Sequence, residues 1–276
     1  MTRFKRYFPI PYLMVAMLAI AHIVSRMVRA PEVGLASVGA LVAIVPLVSF
    51  MSSLVLVKRP RTWRNQYLML ALAVIGTVIS WIGFESPASW YALFLGVIPS
   101  FVYVFWYSRF DRSAPAAIAV GATLPSFELY DGDGNPVTPA EGKHGLYMFI
   151  RGNWCPLCMA QVEEIAAQYR EFEARGVEVF LISRQPAAST RALAKRFGAP
   201  IRFCVDEEGQ LARQLGIEHV GGVPFLMEPL GYDVDSVLPT VVITDPSRRI
   251  IFADLTDNYR VRSEPSTFLA AIDAQA

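Results

Sequence analysis

The sequence predicts two parts of different fold class. The first is an all-α transmembrane bundle of four helices, and the second is an α/β domain whose central mixed sheet carries helices on both faces. Four long apolar runs without Asp, Glu, Lys or Arg in the first 112 residues predict the bundle. Beyond residue 120, short apolar strands alternate with segments of helical periodicity, which predicts the α/β domain. We therefore expect a transmembrane domain over 1–112, a linker over 113–120 and the α/β domain over 121–276.

The charge distribution follows the same division. Residues 1–112 contain 11 Lys/Arg and 3 Asp/Glu, a net charge of +8, whereas residues 113–276 contain 14 Lys/Arg and 21 Asp/Glu, a net charge of −7. An acidic domain is poorly suited to nucleic acid, because phosphate binding requires clustered cations. We therefore expect the lipid bilayer to be a partner of the first part and expect no nucleic-acid partner.

Each apolar run is close to the roughly 20 residues that a helix needs to cross a bilayer. The predicted spans are about 8–24, 33–57, 67–84 and 88–108. The leader, the second loop and the segment after the fourth span hold nine Lys/Arg, against two in the first loop and none in the third. We therefore expect a multi-pass protein of the cell inner membrane, and the positive-inside rule predicts that its α/β domain lies on the cytoplasmic side.

The α/β domain is predicted element by element from apolar runs and turn residues. The predicted strands are 146–150, 177–183, 201–205, 240–244 and 250–253, and the predicted helices are about 155–175, 188–197, 208–215 and 265–274. The turn Asp245-Pro246-Ser247 indicates a hairpin between the last two strands. The segment of about 218–237, with Gly221-Gly222, is predicted to be an insertion that could cover a site.

The segment Arg151-Gly152-Asn153-Trp154-Cys155-Pro156-Leu157-Cys158 lies where a strand passes into a helix. A sulfur at a helix N-terminus faces unpaired backbone N–H groups, which stabilise a thiolate. This placement predicts Cys155 as the nucleophile with the lower pKa. Cys158 lies one turn further on the same face and is predicted to be the resolving thiol.

Two other functions of a Cys-x-x-Cys pair do not fit. A zinc site needs a second ligand pair, and the chain offers only Cys204 and three scattered histidines. Covalent haem needs His after the second cysteine, where this chain has Met159. No cofactor or metal is therefore expected. Cys204 is predicted to be a small buried hydrophobe, with a second resolving thiol as the alternative.

The motifs FIRGNWCPLC, VEVFLISR, LPTVVITD and DNYRVRSEP resemble the redoxin family, the alkyl hydroperoxide reductase/thiol-specific antioxidant group of the thioredoxin-like superfamily. The resemblance covers about 121–274 and implies a thioredoxin-like fold with Cys155 as the attacking thiol. It also implies that Pro239 is a cis-proline facing the dithiol, with Pro224 as a rival. An arginine near the thiol is expected for peroxide activation. Arg151 is the first candidate, and Arg260 and Arg262 are weaker ones.

The chain departs from the peroxidase pattern of that family at two positions. Peroxiredoxins usually have Thr three residues before the attacking cysteine and Pro four residues before that Thr, whereas this chain has Gly152 and Met148. The missing hydroxyl argues against efficient peroxide reduction.

The main hypothesis is therefore a membrane-anchored thiol-disulfide oxidoreductase that reduces an oxidised protein, with electrons from a thioredoxin or a low-molecular-weight thiol. A thiol peroxidase acting on hydroperoxides and a non-catalytic binding module of a membrane assembly are the alternatives.

Overall fold

The computed structural model describes residues 2–29 and 33–275. The chain forms two compact units. One unit contains residues 7–57 and 63–109 and is helical. The other contains residues 110–276 together with residues 1–6 and the loop 58–62. Two short segments that precede the predicted boundary at residue 112 therefore belong to the unit that carries the dithiol.

The described residues of the helical unit form four helices. They are Pro9–Arg29, Leu35–Leu56, Tyr67–Ile82 and Ala88–Tyr107, the last with π-helical turns at Ala92–Val97 and Tyr103–Tyr107. The second and third helices pack closely because glycines face each other. A Cβ atom on Gly39 would lie 2.3 Å from the backbone N of Ser80, and one on Gly76 would lie 2.4 Å from the backbone N of Ala43. Larger side chains would force these helices apart.

Three helices in the described part of the chain are long and apolar enough to cross a membrane: Arg3–Arg29, Leu35–Leu56 and Ala88–Tyr107. The predicted third span is shorter than expected. Its helix, Tyr67–Ile82, has 16 residues, which at 1.5 Å per residue covers about 24 Å against the roughly 30 Å hydrocarbon core of a bilayer. Crossing by this helix stays a prediction.

The second unit is built on a mixed sheet, as the sequence predicts, and the sheet has six strands where the sequence predicts five. Its strands are β1 (Tyr130–Asp131), β2 (His144–Phe149), β3 (Val177–Ser183), β4 (Arg202–Val205), β7 (Thr240–Thr244) and β8 (Ile250–Asp254), in the spatial order β1-β4-β3-β2-β7-β8. Strands β2, β3 and β4 are parallel, whereas β1, β7 and β8 pair antiparallel to their neighbours. Strands β5 (Glu218–His219) and β6 (Ser236–Val237) form a separate antiparallel pair.

Both faces of the central sheet are covered. Nearly every residue of β2, β3 and β7 is buried, including neighbours that point to opposite faces. On one face, Tyr147, Phe180 and Val242 pack with the helix Gln210–Gln214 and with Ile118. Ile118 is fully buried in a 3₁₀ turn, Ala116–Ile118. Part of the predicted linker 113–120 therefore belongs to the hydrophobic core, because Ile118 packs on the sheet.

The predicted elements of this unit form with small changes at their ends. The long helix predicted from Cys155 to about Arg175 is divided at Gln168 into Pro156–Ala167 and Tyr169–Ala174. The predicted helix over 188–197 forms as Ala187–Ala194, and the last helix is Pro265–Asp273. The hairpin at Asp245 forms as predicted, with its carboxylate accepting hydrogen bonds from the backbone N–H groups of Ser247 and Arg249. These elements bring the end of β2 to the start of the helix Pro156–Ala167.

Candidate functional site

Cys155 caps the N-terminus of the helix Pro156–Ala167. Its backbone is extended, with φ −89° and ψ 108°, and the backbone N–H of Cys158 donates to its Sγ at 3.4 Å. Pro156 follows as the first helical residue, where a missing donor has no cost. The strand-to-helix placement predicted for the motif is therefore present, and it directs a backbone N–H to the first sulfur.

The two sulfurs of the motif are in direct contact. The Sγ atoms of Cys155 and Cys158 lie 2.7 Å apart and share a hydrogen bond, and no disulfide joins them. Cys155 is 1% exposed and Cys158 is fully buried. One proton and one negative charge can therefore be shared across the pair, and little movement is needed to join the sulfurs.

Arg262 is the cation at the dithiol. Its Nη2 lies 3.4 Å from the Sγ of Cys158 and 4.0 Å from the Sγ of Cys155. The guanidinium is buried and is held by the side-chain oxygen of Gln161 at 3.0 Å and by the carbonyl of Tyr259 at 3.1 Å. The two sulfurs raise the pKa of Arg262 although burial opposes this. A fixed, charged guanidinium therefore faces both sulfurs.

The ionisation of the pair differs from the sequence prediction. Burial raises the pKa of Cys158, but the hydrogen bond with Cys155 and the charge of Arg262 outweigh it and lower the pKa to about 5. Burial and the hydrogen bond with Cys158 raise the pKa of Cys155. These directions are opposite to the prediction that Cys155 has the lower pKa, because the shared hydrogen bond favours the charge on Cys158 and Arg262 lies closer to that sulfur. The pair therefore loses its first proton more readily than an ordinary thiol does, and it holds the second strongly.

Arg151, the first candidate for the cation, is bound elsewhere. Its Nη2 donates to the carbonyl of Gly222 at 2.5 Å, and its guanidinium lies 4.7 Å from the ring centre of Trp154 and 5.8 Å from that of Tyr259. Its charge lowers the pKa of both cysteines, but less than that of Arg262 does. Arg151 therefore joins the loop before Cys155 to the insertion, while its charge supports the thiolate from a distance.

Gly152 cannot be replaced by a residue with a side chain without strain. Its φ of +145° is unfavourable for other residues, and a Cβ atom would lie 2.5 Å from the Nε1 of Trp154. The hydroxyl that the peroxidase pattern has at this position therefore cannot be restored by a Thr substitution. For a peroxide bound at this site, the O–O bond must be polarised by backbone N–H groups and by Arg262.

The insertion 218–237 packs on the loop that precedes Cys155. The hydroxyl of Ser236 donates to the carbonyl of Arg151 at 2.8 Å, and the hydroxyl of Tyr232 donates to the Oδ1 of Asn153 at 2.5 Å. From the other side, the side-chain oxygen of Gln185 accepts a hydrogen bond from the backbone N–H of Asn153 at 2.8 Å. These contacts fix the loop and help to bury the dithiol.

Pro239 lies directly before β7 and is buried, but its peptide bond is not cis. Within the described residues, the one cis peptide bond is Ser86–Pro87, so the cis expectation is wrong for Pro239 and for its rival Pro224. The trans form of an X–Pro bond is favoured by only about 0.5–1 kcal/mol, so the residue type alone does not fix the isomer. The carbonyl of Pro239 accepts a hydrogen bond from Arg112 at 3.0 Å.

Cys204 lies on β4 within the hydrophobic cluster of the sheet, and it is fully buried. Burial raises its pKa to about 12. Its Sγ is directed to the carbonyl of Arg202 at 3.7 Å. It therefore has the environment of a buried hydrophobe, as predicted, and not that of a reactive thiol.

The sequence did not identify the residues that orient the charged groups. Gln161 lies two turns into the dithiol helix, and Tyr259 belongs to the motif DNYRVRSEP. The same motif contains Arg260 and Arg262, the two weaker candidates for the arginine near the thiol, and both are buried. Which of its arginines faces the sulfurs depends on the tertiary structure.

Comparison with known proteins agrees with this architecture. Residues 120–253 match the model of the AhpC/TSA family. The chain is 30% identical over 120 residues to the thiol-disulfide oxidoreductase ResA of Geobacillus thermodenitrificans, covering 42% of this chain and 67% of that protein. It is also 30% identical over 104 residues to the chloroplastic peroxiredoxin Q of Sedum lineare, covering 37% of this chain and 56% of that protein.

Among solved structures, the peroxidoxin BcpB of Mycobacterium tuberculosis aligns with a TM-score of 0.46 at 20% identity, covering 58% of this chain and 99% of that one. The aligned parts of ResA and peroxiredoxin Q correspond to about two thirds and about half of those proteins.

Proposed function

The chain belongs to the AhpC/TSA family, and from this premise we propose that it is a membrane-anchored thiol-disulfide oxidoreductase that cycles Cys155 and Cys158 between dithiol and disulfide. The observation that carries the proposal is the 2.7 Å separation of the two sulfurs beside Arg262. Two thiols in contact can form an intramolecular disulfide, and a neighbouring guanidinium keeps one of them ionised at neutral pH.

The reaction then has two steps. The thiolate of Cys155 attacks a sulfur of the substrate disulfide, a mixed disulfide forms, and the first substrate sulfur leaves and takes up a proton. The sulfur of Cys158 then attacks the Sγ of Cys155, which releases the second substrate thiol. Two electrons pass to the substrate, and the Cys155–Cys158 disulfide is reduced again by a thioredoxin or a low-molecular-weight thiol.

Cys155 can act as the nucleophile although Cys158 has the lower resting pKa. A proton can move across the 2.7 Å between the sulfurs, and this transfers the charge to Cys155 without solvent. The N–H of Cys158 then stabilises the thiolate on Cys155 from 3.4 Å. Arg262 faces both sulfurs and so stabilises the charge on either one.

Turnover of the full-length chain with two substrates tests the proposal. We expect reduction of a small disulfide, with weak consumption of hydrogen peroxide under the same conditions, because Gly152 supplies no hydroxyl to polarise the O–O bond. Losing one such donor typically costs about 10²–10³ in rate. Peroxide consumption faster than disulfide reduction would contradict the reductase proposal.

A thiol peroxidase is the second candidate, and Arg262 is the observation that favours it. A buried guanidinium within 4.0 Å of both sulfurs can stabilise charge on the oxygen that departs from a peroxide. In that reaction the Cys155 thiolate takes one peroxide oxygen and becomes a sulfenic acid, while the O–O bond breaks and the second oxygen takes up a proton and leaves as water or an alcohol. Cys158 then displaces water from it to form the same disulfide.

The proposal also includes the localisation of the chain and its orientation in the membrane. We propose that the four helices anchor the chain in the cell inner membrane with the dithiol on the cytoplasmic side, as the nine-to-two distribution of Lys/Arg predicts. Contacts within the unit that contains the dithiol support the placement of the leader, the second loop and the α/β domain on one side of the membrane. The backbone N–H of Phe225 donates to the carbonyl of Arg6 at 3.0 Å, and Lys58 pairs with Glu163 at 2.7 Å.

Two single-cysteine variants test this orientation. In a chain whose three native cysteines are replaced by serine, we expect Ser247→Cys to react with a membrane-impermeant maleimide only after cell lysis. Ser247 is exposed at the β7–β8 turn. Ser86→Cys is the matched control, because Ser86 is exposed in the third loop on the opposite predicted side and should react in intact cells. The reverse labelling pattern would contradict the cytoplasmic placement.

A further inference from the structure

The loop 58–62 joins the second and third apolar helices in the sequence, yet it is part of the unit that contains the dithiol. The backbone N–H of Thr62 donates to the carbonyl of Arg260 at 2.8 Å, and the guanidinium of Arg260 returns a hydrogen bond to the hydroxyl of Thr62 at 3.1 Å. Arg260 is fully buried and lies two residues before Arg262. The loop therefore binds the segment that carries the cation of the site.

Within the loop 58–62, Arg61 contacts both the segment of Arg262 and the helix that Cys155 caps. Its Nε donates to the backbone carbonyl of Arg262 at 3.2 Å. Its two terminal nitrogens bind both carboxylate oxygens of Glu164, at 3.0 and 2.5 Å, and Glu164 lies on the helix that Cys155 caps. A weaker contact of 3.5 Å joins Arg61 to Glu264. One guanidinium thus connects the dithiol helix to the segment of Arg262.

We propose that Arg61 is a positioning residue of the redox site, which holds Arg262 at its distance from the sulfurs of Cys155 and Cys158. This inference rests on the proposed use of the Cys155–Cys158 pair. Under this proposal, the loop 58–62 of the apolar N-terminal half contributes to the chemistry of the dithiol as well as to membrane topology.

The physical basis is the distance dependence of the charge interaction. The charges that act on the two sulfurs are those of Arg262 and Arg151, and Asp254 acts in turn on Arg262. The attraction between Arg262 and a thiolate weakens as the guanidinium moves from its 3.4 Å separation. Arg61 binds the carboxylate of Glu164 by a fork that only a guanidinium can make, since a lysine ammonium cannot bind a carboxylate in two parallel bonds. This fork fixes the guanidinium, whose Nε then holds the carbonyl of Arg262.

The test is the pH dependence of dithiol alkylation in the full-length chain with Cys204→Ala. We expect Arg61→Ala to slow alkylation near pH 5 by about fivefold, because a rise of about one unit in the apparent pKa lowers the thiolate fraction from about one half to about one eleventh. Arg61→Lys keeps the charge but loses the fork, so an intermediate shift is expected. Lys58→Ala is the matched control. Lys58 lies on the same loop and contacts Glu163, its side chain is 68% exposed, and its loss should leave the profile unchanged.

Each outcome decides the inference. A wild-type profile in Arg61→Ala, or the same shift in Lys58→Ala, would overturn it, because the loop would then have only a general structural role. If Arg61→Ala does not fold, the shift in Arg61→Lys decides in its place. The proposed function is tested separately by disulfide formation in the wild-type chain. A chain that forms no Cys155–Cys158 disulfide refutes that function, while the alkylation profiles still report on Arg61.

Discussion

Replacing Cys155 with serine is expected to abolish turnover, with a loss on the order of 10³-fold or more, because it removes the sulfur that caps the helix and that attacks the substrate in the proposed reaction. Cys158→Ser is expected to give a different defect. The mixed disulfide between Cys155 and the substrate should accumulate, because nothing remains to resolve it. Non-reducing gels and mass spectrometry of the full-length variants with a disulfide substrate measure both results.

Cys204→Ala is the control for these two variants, since Cys204 is buried within the hydrophobic cluster and its pKa is raised to about 12. It should leave activity intact and cost at most about 1–2 kcal/mol of stability. If the mixed disulfide with the substrate accumulated in Cys155→Ser and not in Cys158→Ser, the roles of the two cysteines would be exchanged. That outcome would mean that the low resting pKa of Cys158 decides which sulfur attacks.

Arg262→Gln is expected to lower disulfide turnover at neutral pH by about 10²-fold. The pKa of Cys158 is held near 5, so the wild-type thiolate is present above that pH and is lost as the pH falls through it. Without Arg262 the apparent pKa of the pair should rise towards the ordinary cysteine value of about 8.5. The defect should therefore be large at pH 6–7 and small above about pH 9. The pH profile of turnover, measured beside that of alkylation, separates this effect from misfolding.

Arg196→Gln is the matched control for Arg262→Gln. Its guanidinium is more than half exposed and its pairing with Glu163 is loose, at 4.0 Å. Surface pairs of this kind contribute little, so its profile should match the wild type. A uniform loss of activity in Arg262→Gln at every pH would contradict a role in thiolate stabilisation.

The sheet could be predicted from the sequence because its strands are short apolar runs. Val177–Ser183 and Thr240–Thr244 begin and end where the sequence pattern places them. Cys155 could be located at a helix N-terminus because Pro156 favours the first helical turn. These features depend on residues that are close together in the sequence, so sequence patterns can predict them.

The features that the sequence missed depend on tertiary contacts. Arg151 is adjacent to the motif, yet it turns to Gly222, whereas Arg262 arrives from 104 residues beyond Cys158 and faces both sulfurs. The distribution of charge within the dithiol depends on the hydrogen bond between the two sulfurs and on their distances to Arg262, 4.0 and 3.4 Å, which no sequence pattern reports. The role of Arg61 likewise depends on where the loop lies.

The most direct test of the account is the thiol content of the full-length chain across a redox titration. After incubation in buffers of increasing glutathione disulfide, acid quenching and alkylation, mass spectrometry counts the modified cysteines. We expect one cooperative two-electron transition in which Cys155 and Cys158 lose alkylation together, while Cys204 remains a thiol throughout. If Cys155 and Cys158 both remained alkylated under oxidising conditions, or formed only separate mixed disulfides with glutathione, the dithiol–disulfide cycle would be refuted.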